Sequence, residues 1–206
     1  MSSAVVATRP VLADVLGRRL PASLTATVPV LLGTLLTAGS AQLAFYLRDN
    51  PVPITGQTFG VLVVGAALGP LRGVASMLLY LVLAVLGLPV LAPNGSGGHT
   101  TGLEVLRLPT FGYLVGFVVA GFVLGVAARR GLDRKPWWTA LSFLGGSAVI
   151  YLFGASWLAI DLGLSASTAL HLGVTPFLLG DLIKAVLAAV VLPGAWWLTA
   201  QFDKGR

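Results

Sequence analysis

The sequence predicts an all-α integral membrane protein of six transmembrane helices with its N- and C-termini cytoplasmic, and three observations carry that prediction. Composition is the first. Hydrophobic residues make up 56% of the chain and charged residues 10%, whereas soluble domains run near a quarter charged. With a mean hydropathy of +0.92 there is too little polar surface to cover a water-facing globule. Continuity is the second: the apolar residues come in unbroken runs long enough to cross a hydrocarbon core at about 1.5 Å rise per residue. An alternating pattern would have pointed to a β-barrel instead. The third is that the basic residues fall almost entirely on one side of the six-span arrangement.

The elements follow in order. Span 1 is expected over Leu24–Leu47, ended by Arg48-Asp49-Asn50-Pro51. Span 2, Ile54–Leu68, is short and calls for a thinned bilayer or borrowed flanking residues. The run Gly69-Pro70-Leu71-Arg72-Gly73 reads as a tight turn into span 3, Val74–Val90. A Gly-, Ser- and Thr-rich stretch, Pro93–Pro109, leads to span 4, Phe111–Ala128. The charged loop Arg129–Pro136 precedes span 5, Trp137–Ile160, and a polar link through Asp161 and His171 precedes span 6, Val174–Ala200. The chain therefore divides into a cytoplasmic N-terminal segment, 1–23, a single transmembrane domain, 24–200, and a cytoplasmic tail, 201–206. Met1–Pro21 has scattered charges and lacks the charged-then-apolar order of a signal peptide.

Orientation comes from counting. With the N-terminus inside, the inner segments hold Arg9, Arg18, Arg19, Arg72, Arg129, Arg130, Arg134, Lys135, Lys204 and Arg206, and the outer ones only Arg48 and Arg107. Ten against two is the positive-inside asymmetry. It also gives the net charge of +6 an explanation that needs no nucleic acid, for which no motif is present. Cysteine is absent, so neither disulfides nor thiolate chemistry arise. Glycine recurs at spacing four, as in Gly65/Gly69 and Gly121/Gly125, with a related small-residue ridge, Gly33/Thr37/Ala41 beside Thr34/Ala38, in span 1. Such ridges let helix backbones approach closely in lipid; the ridge on span 1 reads either as packing within the bundle or as a face for a partner.

Chemistry concentrates in one place. Asp181 and Lys184 are the charged side chains set well inside a span, where each costs roughly 2.5–3.5 kcal/mol on insertion scales. A spacing of three puts them on one helix face. Two readings are open: a self-neutralising pair that fixes packing, or an acceptor and a donor gripping a neutral solute that offers both N–H and C=O, such as a cyclic urea or amide. The loop Pro93-Asn94-Gly95-Ser96-Gly97-Gly98-His99 lies on the same outer side. It is either a plain surface loop or the roof of the site. His99 reads as solvated, and Glu104 with Arg107 as an exposed pair. No catalytic constellation, metal site or phosphate-cradling loop is visible, so binding or transport outweighs an enzyme, and no cofactor is implied.

Several segments resemble a known family. Pro51-Val52-Pro53-Ile54-Thr55-Gly56-Gln57-Thr58-Phe59-Gly60 is similar to the signature after the first helix of BioY proteins, the biotin-binding S components of energy-coupling factor (ECF) transporters. Leu68-Gly69-Pro70-Leu71-Arg72-Gly73, Gly87-Leu88-Pro89-Val90, Gly112-Tyr113-Leu114-Val115-Gly116-Phe117, Val149-Ile150-Tyr151-Leu152-Phe153-Gly154 and Gly180-Asp181-Leu182-Ile183-Lys184-Ala185 continue the resemblance across residues 30–192. It implies capture of biotin from the outer side of a bacterial cytoplasmic membrane. Asp181, Lys184 and Asn94 would bond the ureido ring, and Tyr113 and Tyr151 would serve as pocket walls. It further implies a membrane coupling subunit and two ATPase subunits as partners, docked along Thr34 and Ala38 of span 1, and leaves open a solitary homo-oligomer. Departures from the family's pattern are Thr34, Phe111, Ser147 and Leu179.

Overall fold

The structure, a computed structural model, describes residues 9–204. Residues 1–8 and 205–206, the outer ends of the expected cytoplasmic segments, lie outside the described residues. Among the described residues eight α-helices are formed: α1 Leu12–Leu16, α2 Leu24–Ala41, α3 Gln57–Leu68, α4 Pro70–Val85, α5 Phe111–Arg129, α6 Pro136–Asp161, α7 Ala166–Gly173 and α8 Leu178–Lys204. Four long apolar stretches are of membrane-crossing length: α2, α5, α6, and the run from α7 into α8. Between them lie the shorter apolar helices α3 and α4.

Helices form over the expected apolar runs, with four differences that have physical causes. Span 1 ends at Ala41 rather than Leu47. Gln42 turns its amide back onto Ala38 O (3.0 Å), and the apolar residues beyond form strand β1, Ala44–Phe45, antiparallel to β2, Ile54–Thr55. Hydropathy alone cannot separate an apolar hairpin strand from the last turns of a helix. The expected turn at residues 69–73 contracts to Gly69. At φ +84° it takes a left-handed conformation open to glycine, and Pro70 begins α4 at once, where its missing N–H is no loss. The polar link before span 6 contains α7 and a 3₁₀ turn, Thr175–Phe177, so the last helix starts at Leu178.

The fourth difference concerns α3. Its 12 residues rise only about 18 Å, but thinned lipid is not required. α3 packs against α2, α4, α5 and α8, and Gly60, Val61, Leu62, Val64, Gly65 and Ala66 are all buried. A helix enclosed by protein meets little lipid and carries little mismatch. Glycine makes the enclosure possible: a Cβ on Gly65 would lie 2.8 Å from Gly121 O and 2.9 Å from Gly121 Cα on α5. Leu62, Met77, Tyr80, Leu124, Phe143 and Ile150 fill the core around this crossing.

One end of the bundle is closed by the N-terminal segment. Val11, Leu12 and Ala13 are buried, and Val11 backs onto Gly69. Asp14 receives Arg72 from α4 at 2.7 Å and Arg129 from α5 at 2.6 Å. Arg134 donates to Pro10 O and stacks on Trp196 of α8, whose indole N–H donates to Asp133 at 2.6 Å. The short lead-in expected before span 1 is docked onto the bundle over residues 9–14.

Candidate functional site

At the opposite end from this closure, the β1–β2 hairpin, the loop after α4 and the start of α8 surround a cavity of about 250 Å³. Asp181, Lys184, Asn94, Tyr113 and Tyr151 all line it. Five residues chosen from the sequence thus meet in one place, and each is positioned by a different local cause.

Asp181 lies in the first turn of α8, the end of a helix whose partial positive charge favours a carboxylate by about 0.3–1 kcal/mol or more. The chain breaks at Thr175-Pro176-Phe177 just before it, so the proline indirectly places the acid at a helix start. Lys184, one turn on, donates to Asp181 Oδ1 at 3.1 Å. The Asp181 side chain is 3% exposed and that of Lys184 17%, so the pair is desolvated, and a charge without a partner here would be strongly disfavoured. Two further groups complete it. Tyr151 of α6 donates from Oη to Asp181 Oδ2 at 2.6 Å, and Lys184 Nζ donates to Thr58 Oγ1 of α3 at 2.7 Å.

Asn94 is oriented by its own loop. Its Oδ1 accepts the backbone N–H groups of Ser96 (3.2 Å) and Gly98 (2.9 Å) and the Ser96 hydroxyl (2.7 Å). Since only the carbonyl oxygen can accept a backbone N–H, the side-chain NH₂ is left as the free end and keeps its two donors. Tyr113 is held by a hydrogen bond from its hydroxyl to Gly173 O at 2.8 Å, with its ring against Gly154. The surface segments are tied together: Tyr46 donates to Pro93 O, Gln42 to Leu91 O and Asn50 to Leu172 O. His99, expected to be solvated, instead bonds Leu91 O through Nδ1 at 2.9 Å. Glu104 and Arg107 form the expected exposed pair.

The cavity also takes in residues not singled out from the sequence. Pro51, Val52, Pro53, Thr55, Gln57 and Thr58 all line it, so most of the proline-rich motif is cavity wall. Gln57 donates to Tyr80 at 2.5 Å and is itself buried. Thr58 and Gln57 are polar residues opening an apolar span, which was the available signal. Tyr46, Phe117 and Phe177 line the cavity too; nothing in the local sequence marks Tyr46 or Phe177.

Thr34 and Ala38, expected on a partner-docking face, lie elsewhere. Thr34 is 2% exposed and donates to Val30 O within α2 and to Ser76 O across the contact with α4. Ala38 packs against the core. Gly33, Thr37 and Ala41 are buried as well, so the small-residue ridge packs within the bundle. The exposed side of α2 carries Leu31, Leu32, Leu35 and Leu36, and a partner meeting α2 in this arrangement meets those leucines.

The arrangement offers a fixed acceptor, a fixed ammonium and an amide donor in a cavity whose remaining wall mixes apolar, aromatic and neutral polar side chains. A family model described as the BioY family matches residues 14–201. The chain is 40% identical over 148 residues to the biotin transporter BioY of Rhizobium etli, covering 68% of this chain and 76% of that one. It is 38% identical over 156 residues to the probable biotin transporter BioY of Pyrococcus horikoshii, covering 76% and 86%. The crystal structure of the S component for biotin from an ECF-type ABC transporter superposes with a TM-score of 0.72 at 27% identity, over 83% of this chain and 90% of that one.

Proposed function

We propose a function from one premise: this chain belongs to the BioY family. It is a transport protein rather than an enzyme, and its substrate is biotin. It binds biotin as the substrate-binding subunit of an ECF-type transporter. The ureido ring sits at the Asp181–Lys184 pair. Asp181 accepts ring N–H, while Lys184 and the Asn94 amide donate to the ring carbonyl. The thiophane ring and valeryl chain lie along the apolar and aromatic wall that includes Tyr113 and Tyr151, the usual division of labour in a small-molecule site.

Six helices, α2 to α6 and α8, cross the bacterial cytoplasmic membrane as one domain over residues 24–200, with both termini in the cytoplasm. The basic residues support this orientation: Arg72, Arg129 and Arg134 gather at the end of the bundle opposite the cavity. The cavity then faces outward and captures biotin from outside. Inward delivery requires a conformational change, driven by a membrane coupling subunit and two ATPase subunits or carried out by a homo-oligomer of this chain. The binding chemistry is the same in both cases.

The observation that carries this reading is the convergence of Asp181, Lys184 and Asn94 on one cavity, with a hydrogen-bond pattern complementary to a cyclic urea. Equilibrium binding of labelled biotin to the purified protein tests it. Wild type binds, and Asp181→Asn and Lys184→Met each weaken binding by about a hundredfold, the scale of a lost hydrogen bond to a charged group in a desolvated site. A wild type that ignores biotin, or two variants that bind as well as it does, would refute the assignment.

A further inference from the structure

Each member of the Asp181–Lys184 pair is tethered by a second group from another helix, which its spacing alone does not account for. Lys184 Nζ lies closer to Thr58 Oγ1, at 2.7 Å, than to Asp181 Oδ1, at 3.1 Å. Asp181 Oδ2 accepts Tyr151 Oη at 2.6 Å. Thr58 stands on α3 and Tyr151 on α6, and both line the cavity.

A lysine three residues from an aspartate, with no other acceptor, has two easy options. Its four-carbon stem folds the ammonium fully onto the carboxylate, or reaches away toward water. Either leaves the donor in a place that a ligand must then undo, and the stem is among the most rotamer-rich of side chains. An acceptor on α3 removes that freedom. Two of the three ammonium protons are directed, one to Thr58 and one to Asp181, so the direction of the third is set by tetrahedral geometry. The carboxylate has about four acceptor positions. One on each oxygen is taken, by Lys184 and by Tyr151, so one on each remains.

We propose that Thr58 is a positioning residue for the ligand: it holds the Lys184 ammonium so that its third proton and the open lone pairs of Asp181 are presented together to the bound solute. This rests on the reading of the site as a cyclic-urea site. Tyr151 plays the matching part on the carboxylate. The role also explains why a hydroxyl stands at the second residue of α3, next to Gln57 and ahead of ten apolar or glycine residues.

The test is a double-mutant cycle read by biotin affinity, with the ligand-free protein examined alongside. Thr58→Val keeps the shape and removes the acceptor; it weakens binding about tenfold or more, the scale of one charge-assisted hydrogen bond. Thr58→Ser restores affinity to within a few-fold. In the Lys184→Met background Thr58→Val adds little, because the group it positions is gone. In ligand-free protein, Thr58→Val speeds acylation of Lys184 by an amine reagent, followed by mass spectrometry, and Thr58→Ser does not. The inference is overturned by a Thr58→Val protein that binds as wild type, or by an equal penalty in both backgrounds, which would put the hydroxyl on the ligand itself. A wild type that fails to bind biotin overturns the reading of the ligand, and the positioning role is then decided by the acylation rates alone: no change on Thr58→Val ends it.

Discussion

Asp14→Asn is the sharpest probe of how the bundle is closed at the end away from the cavity. The substitution keeps the shape but removes a charge that two guanidinium groups share, at 2.7 Å from Arg72 and 2.6 Å from Arg129. Fully exposed pairs contribute about 0–1 kcal/mol, and breaking a buried one costs about 3–5 kcal/mol. The Asp14 side chain is 24% exposed and its partners 25% and 30%, so the loss falls between, about 1–3 kcal/mol. In a chain of this size 2 kcal/mol corresponds to a fall in Tm of about 4–8 °C. Scanning fluorimetry of the detergent-solubilised protein reads it. As a control, Asp49→Asn leaves Tm unchanged, since the pair with Arg48 is exposed by more than nine-tenths. The pH dependence supplies the sign. Burial alone would raise the carboxyl's pKa, but the Arg72 hydrogen bond, the Val11 N–H and the charges of both arginines outweigh it, and Asp14 titrates below the ordinary 3.8. A depressed folded-state pKa gives stability that is present above the unfolded value and lost as pH falls through the folded one. The gap between wild type and Asp14→Asn should therefore hold from pH 7 to about 5 and close below about 4. Equal Tm values at pH 7, or a gap that widens in acid, would refute the reasoning.

Two further predictions concern the cavity. Asn94→Asp keeps an oxygen for Ser96 and Gly98 but removes the amide donor and adds a negative charge to a cavity that holds Asp181. Biotin affinity falls at least tenfold to a hundredfold with Tm nearly unchanged; unaltered affinity would show that the amide does not meet the ligand. Gly154→Ala places a methyl group in the Tyr113 ring, an overpacking that costs about 1–3 kcal/mol. Both Tm and biotin binding drop, and a Tyr113→Ala background removes the Tm penalty; a penalty that persists there would place the clash elsewhere.

Much of this protein is legible in its sequence because hydrophobic continuity is a one-dimensional signal. The helices α5 and α6 start and stop within a residue of expectation, since Pro136 and the charged turn after Arg129 mark their ends locally. Asp181 and Lys184 are equally legible, because charge inside an apolar helix has a cost that only a partner explains. The failures have the opposite character. The hairpin of β1 and β2 depends on pairing between residues ten or so apart, and apolar residues 43–47 look like helix until that pairing is known. The docking of residues 9–14 depends on Arg72 and Arg129, which stand 58 and 115 residues away from Asp14. The burial of Thr34 depends on Ser76. The partners Arg72, Arg129 and Ser76 lie far outside the window that a periodicity argument can see.

Thr58 shows where the boundary between the two kinds of information runs. Its motif was legible as a resemblance, but the resemblance carried no reason for the hydroxyl. That reason appears only when α3 is enclosed by α2, α4, α5 and α8, which brings its first turn against the second turn of α8 and sets Oγ1 2.7 Å from Nζ. The same enclosure requires Gly65 against Gly121, because a larger residue at that crossing would push α3 away from its neighbours. The small-residue pattern and the charged pair, which look unrelated along the chain, are thus parts of one arrangement. Close backbone approach at the crossing is what allows a short helix to deliver an acceptor to an ammonium on the last one.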